Sequence, residues 1–319
     1  MPSAYDLKQK IIALLVVFFL FFFVGTFLFL ISKNNKEKTE ALRAVVLKQQ
    51  AEKKISDQLA KIHFNASSTG AVSAQSFLTL VITSTGEKKV INQKNPDWAL
   101  PIASVTKLMI ALIVSENLDP EMEIKATKDY VGQEESFFVL EIDKKYKVKD
   151  LLANMLIASD NDSARLLGSA FGETNLVAKM NAKAQELGLD KTYFVNITGL
   201  DPKKPMVEVN ISSPNNLAGL LLFLQEKYPK VLSLTANARY NFCDINNFCQ
   251  EIINTDKLLG TSTIPYKIIG SKTGSTDLAL KNLVLIVRIT EDISLVNIVL
   301  GSKNNFADTA YLINNVLLN

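Results

Sequence analysis

From Ile11 to Ile31 the chain carries 21 consecutive uncharged residues, mostly Phe, Leu and Val. At 1.5 Å per residue such a run makes about 31 Å of helix, enough to cross the apolar core of a bilayer. A cleaved leader has a shorter apolar stretch with a small-x-small site behind it. Here Ser32-Lys33-Asn34-Asn35-Lys36 follows, so the run predicts an uncleaved anchor. Lysines stand on both flanks (Lys8 and Lys10; Lys33, Lys36 and Lys38), and charge bias alone does not orient it. Lys36 to Phe64 is charged, free of Gly and Pro, and apolar at Leu42, Val45, Val46, Ile55, Leu59 and Ile62. That spacing predicts an amphipathic helix or short stalk. Asn65-Ala66-Ser67-Ser68-Thr69-Gly70 reads as a hinge.

Beyond the hinge the pattern changes to short apolar runs. Strands are predicted at about 77–84 and 88–92, joined through Ser84-Thr85-Gly86-Glu87. A helix should start near Ser104 and bury Leu108, Met109, Ala111, Leu112 and Val114. Residues 148–219 read as mostly helical. Runs at 266–273, 279–288 and 293–300 are rich in Ile, Val and Leu and suit central antiparallel strands. Phe306 to Leu318 reads as a closing helix. Strands at both ends with helices between them predict an α+β layered domain. The expected organisation is a tail over 1–10, an anchor over 11–31, a stalk and linker over 32–70, and one globular domain over 71–319, a size that one core supports.

Charge narrows the classes of function. The net charge is +3 with both signs interspersed and no basic stripe, so nucleic acid is not an expected partner. The sole histidine, His63, lies in the charged stretch after the apolar run and reads as a linker residue. An imidazole-dependent hydrolase is thereby disfavoured. Cys243 and Cys249 are the only cysteines. Their flanks read as the two strands of a hairpin, on which a disulfide and a pair of free thiols both remain open. Two cysteines far from the one histidine do not complete a zinc sphere, so neither metal nor cofactor is expected.

Three polar clusters carry candidate chemistry. In Ser104-Val105-Thr106-Lys107, serine and lysine share a helix face at i, i+3. A lysine whose proton is weakened by burial or by a second cation can serve as general base for a serine nucleophile. Ser159-Asp160-Asn161 follows an apolar run, and Lys272-Thr273-Gly274 lies inside another. The ordered trio S-x-x-K, S-D-N and K-T-G resembles the signature of class A β-lactamases and penicillin-binding proteins.

The likeness extends through the globular part. Thr79-Leu80-Val81-Ile82-Thr83-Ser84-Thr85-Gly86 resembles the opening hairpin of the serine-type D-alanyl-D-alanine carboxypeptidase family, and Pro101-Ile102-Ala103 leads into Ser104 as it does there. Ala158 to Ala164 is similar to the second motif. Met180 to Leu189, then Thr192 and Asn196-Ile197-Thr198-Gly199-Leu200, resemble the central segment. Asn254-Thr255-Asp256-Lys257-Leu258-Leu259 precedes the Lys-Thr-Gly strand at the usual distance. The match covers roughly residues 75 to 319.

This resemblance implies a β-lactamase/transpeptidase-like layered domain, with a five-stranded antiparallel sheet flanked by helices and a helical subdomain. It also implies residue roles. Ser104 attacks a D-Ala-D-Ala peptide bond while Lys107 takes its proton, helped by Lys272 and burial. Ser159 relays a proton to the leaving amine. Asn161 holds substrate and Lys107. The backbone N–H groups of Ser104 and Ser275 form the oxyanion hole. Lys272, Thr273 and Thr276 bind the substrate's terminal carboxylate, and Gly274 counts among the substrate-binding residues. Peptidoglycan stem peptides would be substrates and β-lactams covalent inhibitors. The substrate lies outside the cytoplasmic membrane, so the domain should face out.

Two departures carry expectations of their own. Ala279-Leu280 stands where the family has Ala-Gly, so the backbone there is expected to differ. No counterpart of the family's C-terminal β-rich domain and tail is expected, and the N-terminal span would anchor instead. The alternatives are a D,D-endopeptidase on cross-links, a β-lactamase and a membrane β-lactam sensor. For a class A β-lactamase, Glu208 with Asn210 is the only candidate for the deacylating acid, and its spacing is wrong. For a sensor, the ten-residue tail offers no output module.

Overall fold

The computed structural model describes residues 4–65, 72–132, 140–203 and 208–318. The hinge expected at 65–70 therefore falls, save for Asn65, outside the described residues. The chain divides into two compact units, residues 1–57 and 58–319.

Helix α1 (Ala4–Lys61) is continuous and contains one window apolar enough to cross a membrane. Its described side chains from Leu14 to Ile31 include an exposed run of Phe, Leu and Val. The second unit begins earlier than residue 71. After Lys61 the chain forms β1 (Ile62–Phe64), so the stalk pattern ends in a strand rather than a linker, and His63 is an exposed strand residue. Ile62 and Leu59 are buried in the core of this unit.

Next come β2 (Ser76–Thr83), β3 (Lys88–Lys94) and β4 (Leu100–Pro101). A 3₁₀ turn (Ala103–Thr106) leads into α2 (Lys107–Asn117). The short hairpin β5 (Glu123–Lys125) and β6 (Lys145–Lys147) precedes α3 (Val148–Ile157), α4 (Asn161–Ser169) and α5 (Glu173–Glu186). Helix α2 is buried on every side from Leu108 to Val114, as suits an all-apolar helix at the centre of a domain.

The predicted helical stretch is broken over 187–203 and 208–213. There Gly188 and Gly199 take left-handed backbone, and Asn196 Oδ1 accepts from the N–H groups of Thr198 and Gly199. These local bonds compete with helix. β7 (Ile211–Ser212), α6 (Pro214–Lys227) and α7 (Pro229–Leu234) follow. The hairpin β8 (Arg239–Cys243) and β9 (Cys249–Ile253) sets Cys243 opposite Cys249, and the two are joined by a disulfide.

β10 (Lys267–Thr276), β11 (Leu280–Arg288) and β12 (Ile293–Ser302) complete an antiparallel five-stranded sheet of order β10-β11-β12-β2-β3. Helices of the central region cover one face through Leu78, Leu80, Val284, Ile286, Val296 and Ile298. α8 (Asn305–Asn314) covers the other, through Ala310 and Ile313 against Leu283, Leu285 and Leu295. The closing helix is shorter than its apolar pattern suggests. Val316–Leu318 leaves it as β13 and pairs with β1, a long-range contact that local periodicity does not register. β10 is an edge strand, so one side of it is open to the cleft described below.

Leu280 adopts φ +54, the left-handed region that favours glycine, and bears the steric cost of its side chain there. That cost is about 1–2 kcal/mol, against about 0.4–1 kcal/mol for glycine's extra freedom in the unfolded chain. Leu280→Gly should therefore leave the melting temperature unchanged or raise it by a few degrees. Leu280→Ala keeps the strain, loses side-chain contact and should lower it. Equal losses in the two variants on thermal melting would show that the left-handed backbone stores no strain.

Candidate active site

The nucleophile candidate sits in the 3₁₀ turn, where side chains at i and i+3 eclipse. That geometry brings Lys107 Nζ to 2.8 Å from Ser104 Oγ. The ammonium also donates to Asn161 Oδ1 at 2.7 Å and to the Thr198 carbonyl at 3.0 Å. Lys107 is fully buried. Its acceptors are thus a hydroxyl, an amide and a carbonyl, and the 2.8 Å contact equally suits transfer of the Ser104 proton to a neutral amine.

Ser159 lies between two helices. α3 ends at Ile157, and Asp160 caps α4 by accepting from Ser163 N at 2.6 Å. The intervening Ser159 takes φ +60, a sparsely populated conformation for a non-glycine residue. It receives a hydrogen bond from Lys272 Nζ at 2.8 Å. Lys272 Nζ also donates to the Thr273 carbonyl at 3.1 Å. Burial pushes the Lys272 ammonium well below the usual lysine range, and the charge of Lys107 pushes the same way, partly offset by Asp256. The structure thus brings two Lys–Ser contacts together in one site.

Glycine lets the walls meet. A Cβ on Gly274 would stand 2.5 Å from the Ile102 carbonyl and 3.2 Å from Ser104 N. Only a bare backbone allows strand β10 to run so close to the nucleophile's turn. From the other side Gly199 (φ +81) packs against the same turn, where a Cβ would meet the Ala103 carbonyl oxygen at 2.1 Å. Two buried asparagines hold the turn in place. Asn210 donates to Thr106 Oγ1 at 2.9 Å and accepts from Val195 N and Asn196 N. Asn282 on β11 donates to the Pro101 carbonyl at 3.0 Å.

These elements enclose a cleft of about 630 Å³, lined by Ser104, Ser159, Asn161, Thr273, Gly274 and Ser275 among others. Lys107 and Lys272 lie buried beneath it. Lys257 and Lys281 line it too, and their ammonium groups make no hydrogen bond or ion pair among the described residues, so the cleft presents positive charge to an anionic ligand. Thr276 stands apart from the role expected of it. Its hydroxyl donates to Asp201 Oδ1 at 2.8 Å, so its proton is committed to a protein carboxylate. Glu208 is exposed and does not line the cleft, while its neighbour Asn210 is the structural clasp just described. A larger hollow, about 770 Å³, lies between the 83–88 turn and α6 at the opposite end of the sheet and holds none of the three motifs.

Several residues at the site were not singled out from sequence. Thr198 acts through its carbonyl, which no side-chain pattern reports. Asp201 directly follows the Asn196–Leu200 segment, and Thr255 lies within Asn254–Leu259; both stretches stood out only as likeness. Asn210 and Asn282 are isolated polar residues in apolar surroundings, a signal that buried hydrogen-bonding groups leave in sequence.

Comparison with known proteins covers the same stretch. The family model described as D-alanyl-D-alanine carboxypeptidase matches residues 63–304. A D-alanyl-D-alanine endopeptidase of Pseudomonas aeruginosa is 30% identical over 241 residues, 73% of this chain and 74% of the relative. The crystal structure of a D-alanyl-D-alanine carboxypeptidase from Mycobacterium tuberculosis superposes with a TM-score of 0.68 at 26% identity, covering 79% of this chain and 94% of that one. A penicillin-binding protein from Listeria monocytogenes in its ampicillin-bound form gives 0.65 at 27% identity, over 76% of this chain and 97% of that one. The five-stranded sheet and the nucleophile's turn thus sit within a shared fold, and the chain belongs to the D-alanyl-D-alanine carboxypeptidase family of serine peptidases.

Proposed function

We propose that the chain removes the terminal D-Ala from peptidoglycan stem peptides through an acyl-enzyme on Ser104, and that β-lactams acylate the same hydroxyl. The observation that carries this reading is the 2.8 Å contact between Lys107 Nζ and Ser104 Oγ beneath an open cleft. Ser104 Oγ attacks the carbonyl carbon while its proton passes to Lys107. The developing oxyanion is stabilised by the N–H groups of Ser104 and Ser275. Ser159, bonded to Lys272, passes a proton to the departing amine. Lys272 suits this relay because burial weakens its hold on a proton. Asn161 holds Lys107 through Oδ1 and offers its Nδ2 side to the peptide. Thr273 and the neighbouring cations receive the terminal carboxylate. Water then hydrolyses the ester.

The Pseudomonas aeruginosa relative is named an endopeptidase, which favours cleavage of cross-links as the second reading. A cross-linked stem dimer and a pentapeptide offered together separate the two, by release of monomer or of free D-Ala.

The helix apolar enough to span a membrane supports an anchor over 11–31. In this reading residues 1–10 face the cytoplasm, the stalk follows from residue 32, and the catalytic unit lies outside. The full chain should partition with membranes and keep its N-terminal residues. External protease should then release a penicillin-binding fragment. A domain shielded from that protease would remove it from its substrate.

Penicillin should add to the parent protein one-to-one by intact mass spectrometry and not to Ser104→Ala. An adduct surviving in Ser104→Ala would move the nucleophile elsewhere. Lys107→Ala should slow acylation by about 10²–10⁴-fold, with the far-ultraviolet circular dichroism spectrum unchanged. A loss no greater than a few-fold would assign the proton to another group.

A further inference from the structure

The Thr255 hydroxyl bridges two walls of the cleft. Thr255 follows the disulfide-closed hairpin β8–β9, and its backbone N–H donates to the Ile157 carbonyl at 3.1 Å, two residues before Ser159. Its Oγ1 lies 2.5 Å from Oγ1 of Thr273 on β10. The flanking residues fix this segment. Asn254 Nδ2 donates to the carbonyls of Thr235 and Asn237, both at 2.9 Å. Asp256 N donates to Asn254 Oδ1, and Leu258 N to Asp256 Oδ1. Thr255 and Thr273 both line the cleft. Among the described residues neither hydroxyl makes another hydrogen bond.

We propose that Thr255 is a positioning residue that orients the Thr273 hydroxyl proton toward the substrate's terminal carboxylate, an inference that rests on the carboxypeptidase reading above. A hydroxyl has one proton to give, whereas a carboxylate only accepts. If Thr273 donated to Thr255, it would turn a lone pair toward the incoming anion. With Thr255 as donor, Thr273 keeps its own proton for the carboxylate and receives a hydrogen bond that polarises its O–H. The main chain of Thr273 is held independently, since its carbonyl accepts from Lys272 Nζ at 3.1 Å. The Thr255 hydroxyl therefore sets the direction of one proton, while its backbone N–H does the structural work of joining the cleft walls. The two roles separate by substitution, because valine keeps the shape and the N–H and lacks only the hydroxyl.

The test compares the full chain with Thr255→Val and Thr255→Ser on a tripeptide ending in D-Ala-D-Ala and on its C-terminal carboxamide. In parallel, the acylation rate of Ser104 is measured with limiting penicillin and with its methyl ester. Thr255→Val should raise KM for the acid peptide about tenfold, the order expected for one hydrogen bond serving a charged group, with kcat within about twofold. It should slow acylation by penicillin similarly. The carboxamide and the ester should be unaffected, and Thr255→Ser should behave like the parent. An unchanged KM and penicillin rate in Thr255→Val would overturn the proposal. So would equal losses on the charged and neutral probes, which mark a merely structural role, or a failure of serine to restore the parent values. A parent chain that is acylated by penicillin yet releases no D-Ala would instead overturn the carboxypeptidase reading, with the penicillin and ester rates still deciding the role of Thr255.

Discussion

Two lysine side chains are buried under one cleft, and their accommodation shapes the site around them. Lys107 and Lys272 are each at most 1% exposed, and taking an ammonium out of water is costly unless it is hydrogen-bonded and compensated. Hydroxyls, an amide oxygen and carbonyls accept hydrogen bonds from them. Asp256 offsets part of the repulsion felt by Lys272. Burial and the charge of Lys107 both drive Lys272 toward its neutral form. Burial thereby makes the Lys272 amine available as a base in a chain whose only histidine, His63, is an exposed strand residue of β1.

That placement demands close approach of three separate chain segments. The edge strand β10 delivers Lys272 and Thr273, the α3–α4 junction delivers Ser159 and Asn161, and the 3₁₀ turn delivers Ser104 and Lys107. Gly274 and Gly199 press on this turn from two sides at distances that leave no room for a Cβ. Strain is carried at the same place, with Ala103 at φ +47 and Ser159 at φ +60. Positive-φ residues held at a reactive centre are sustained by surrounding structure. Here that structure includes the Asn210 and Asn282 clasps and the buried apolar stretch Leu108–Val114 of helix α2.

Much of this was legible in the sequence because it is local. The three motifs, the apolar strands 267–276, 280–288 and 293–302, and the hairpin pairing of the two cysteines all follow from spacing within short windows. What escaped is what depends on distant partners. The pairing of Ile62–Phe64 with Val316–Leu318 joins the two ends of the second unit, and each strand alone has only three residues of signal. The engagement of Thr276 with Asp201 spans 75 positions in sequence. The left-handed backbone at Leu280 shows tertiary context holding a residue against its own preference.

Burial and the charge of Lys107 keep Lys272 from holding its proton as an ordinary lysine does. The most direct measurement is the titration of its side chain by carbon-13 NMR in the folded full-length protein. The midpoint should lie well below the ordinary value of 10.5 and move upward in Lys107→Met. A midpoint at the ordinary value, unmoved by loss of Lys107, would contradict it.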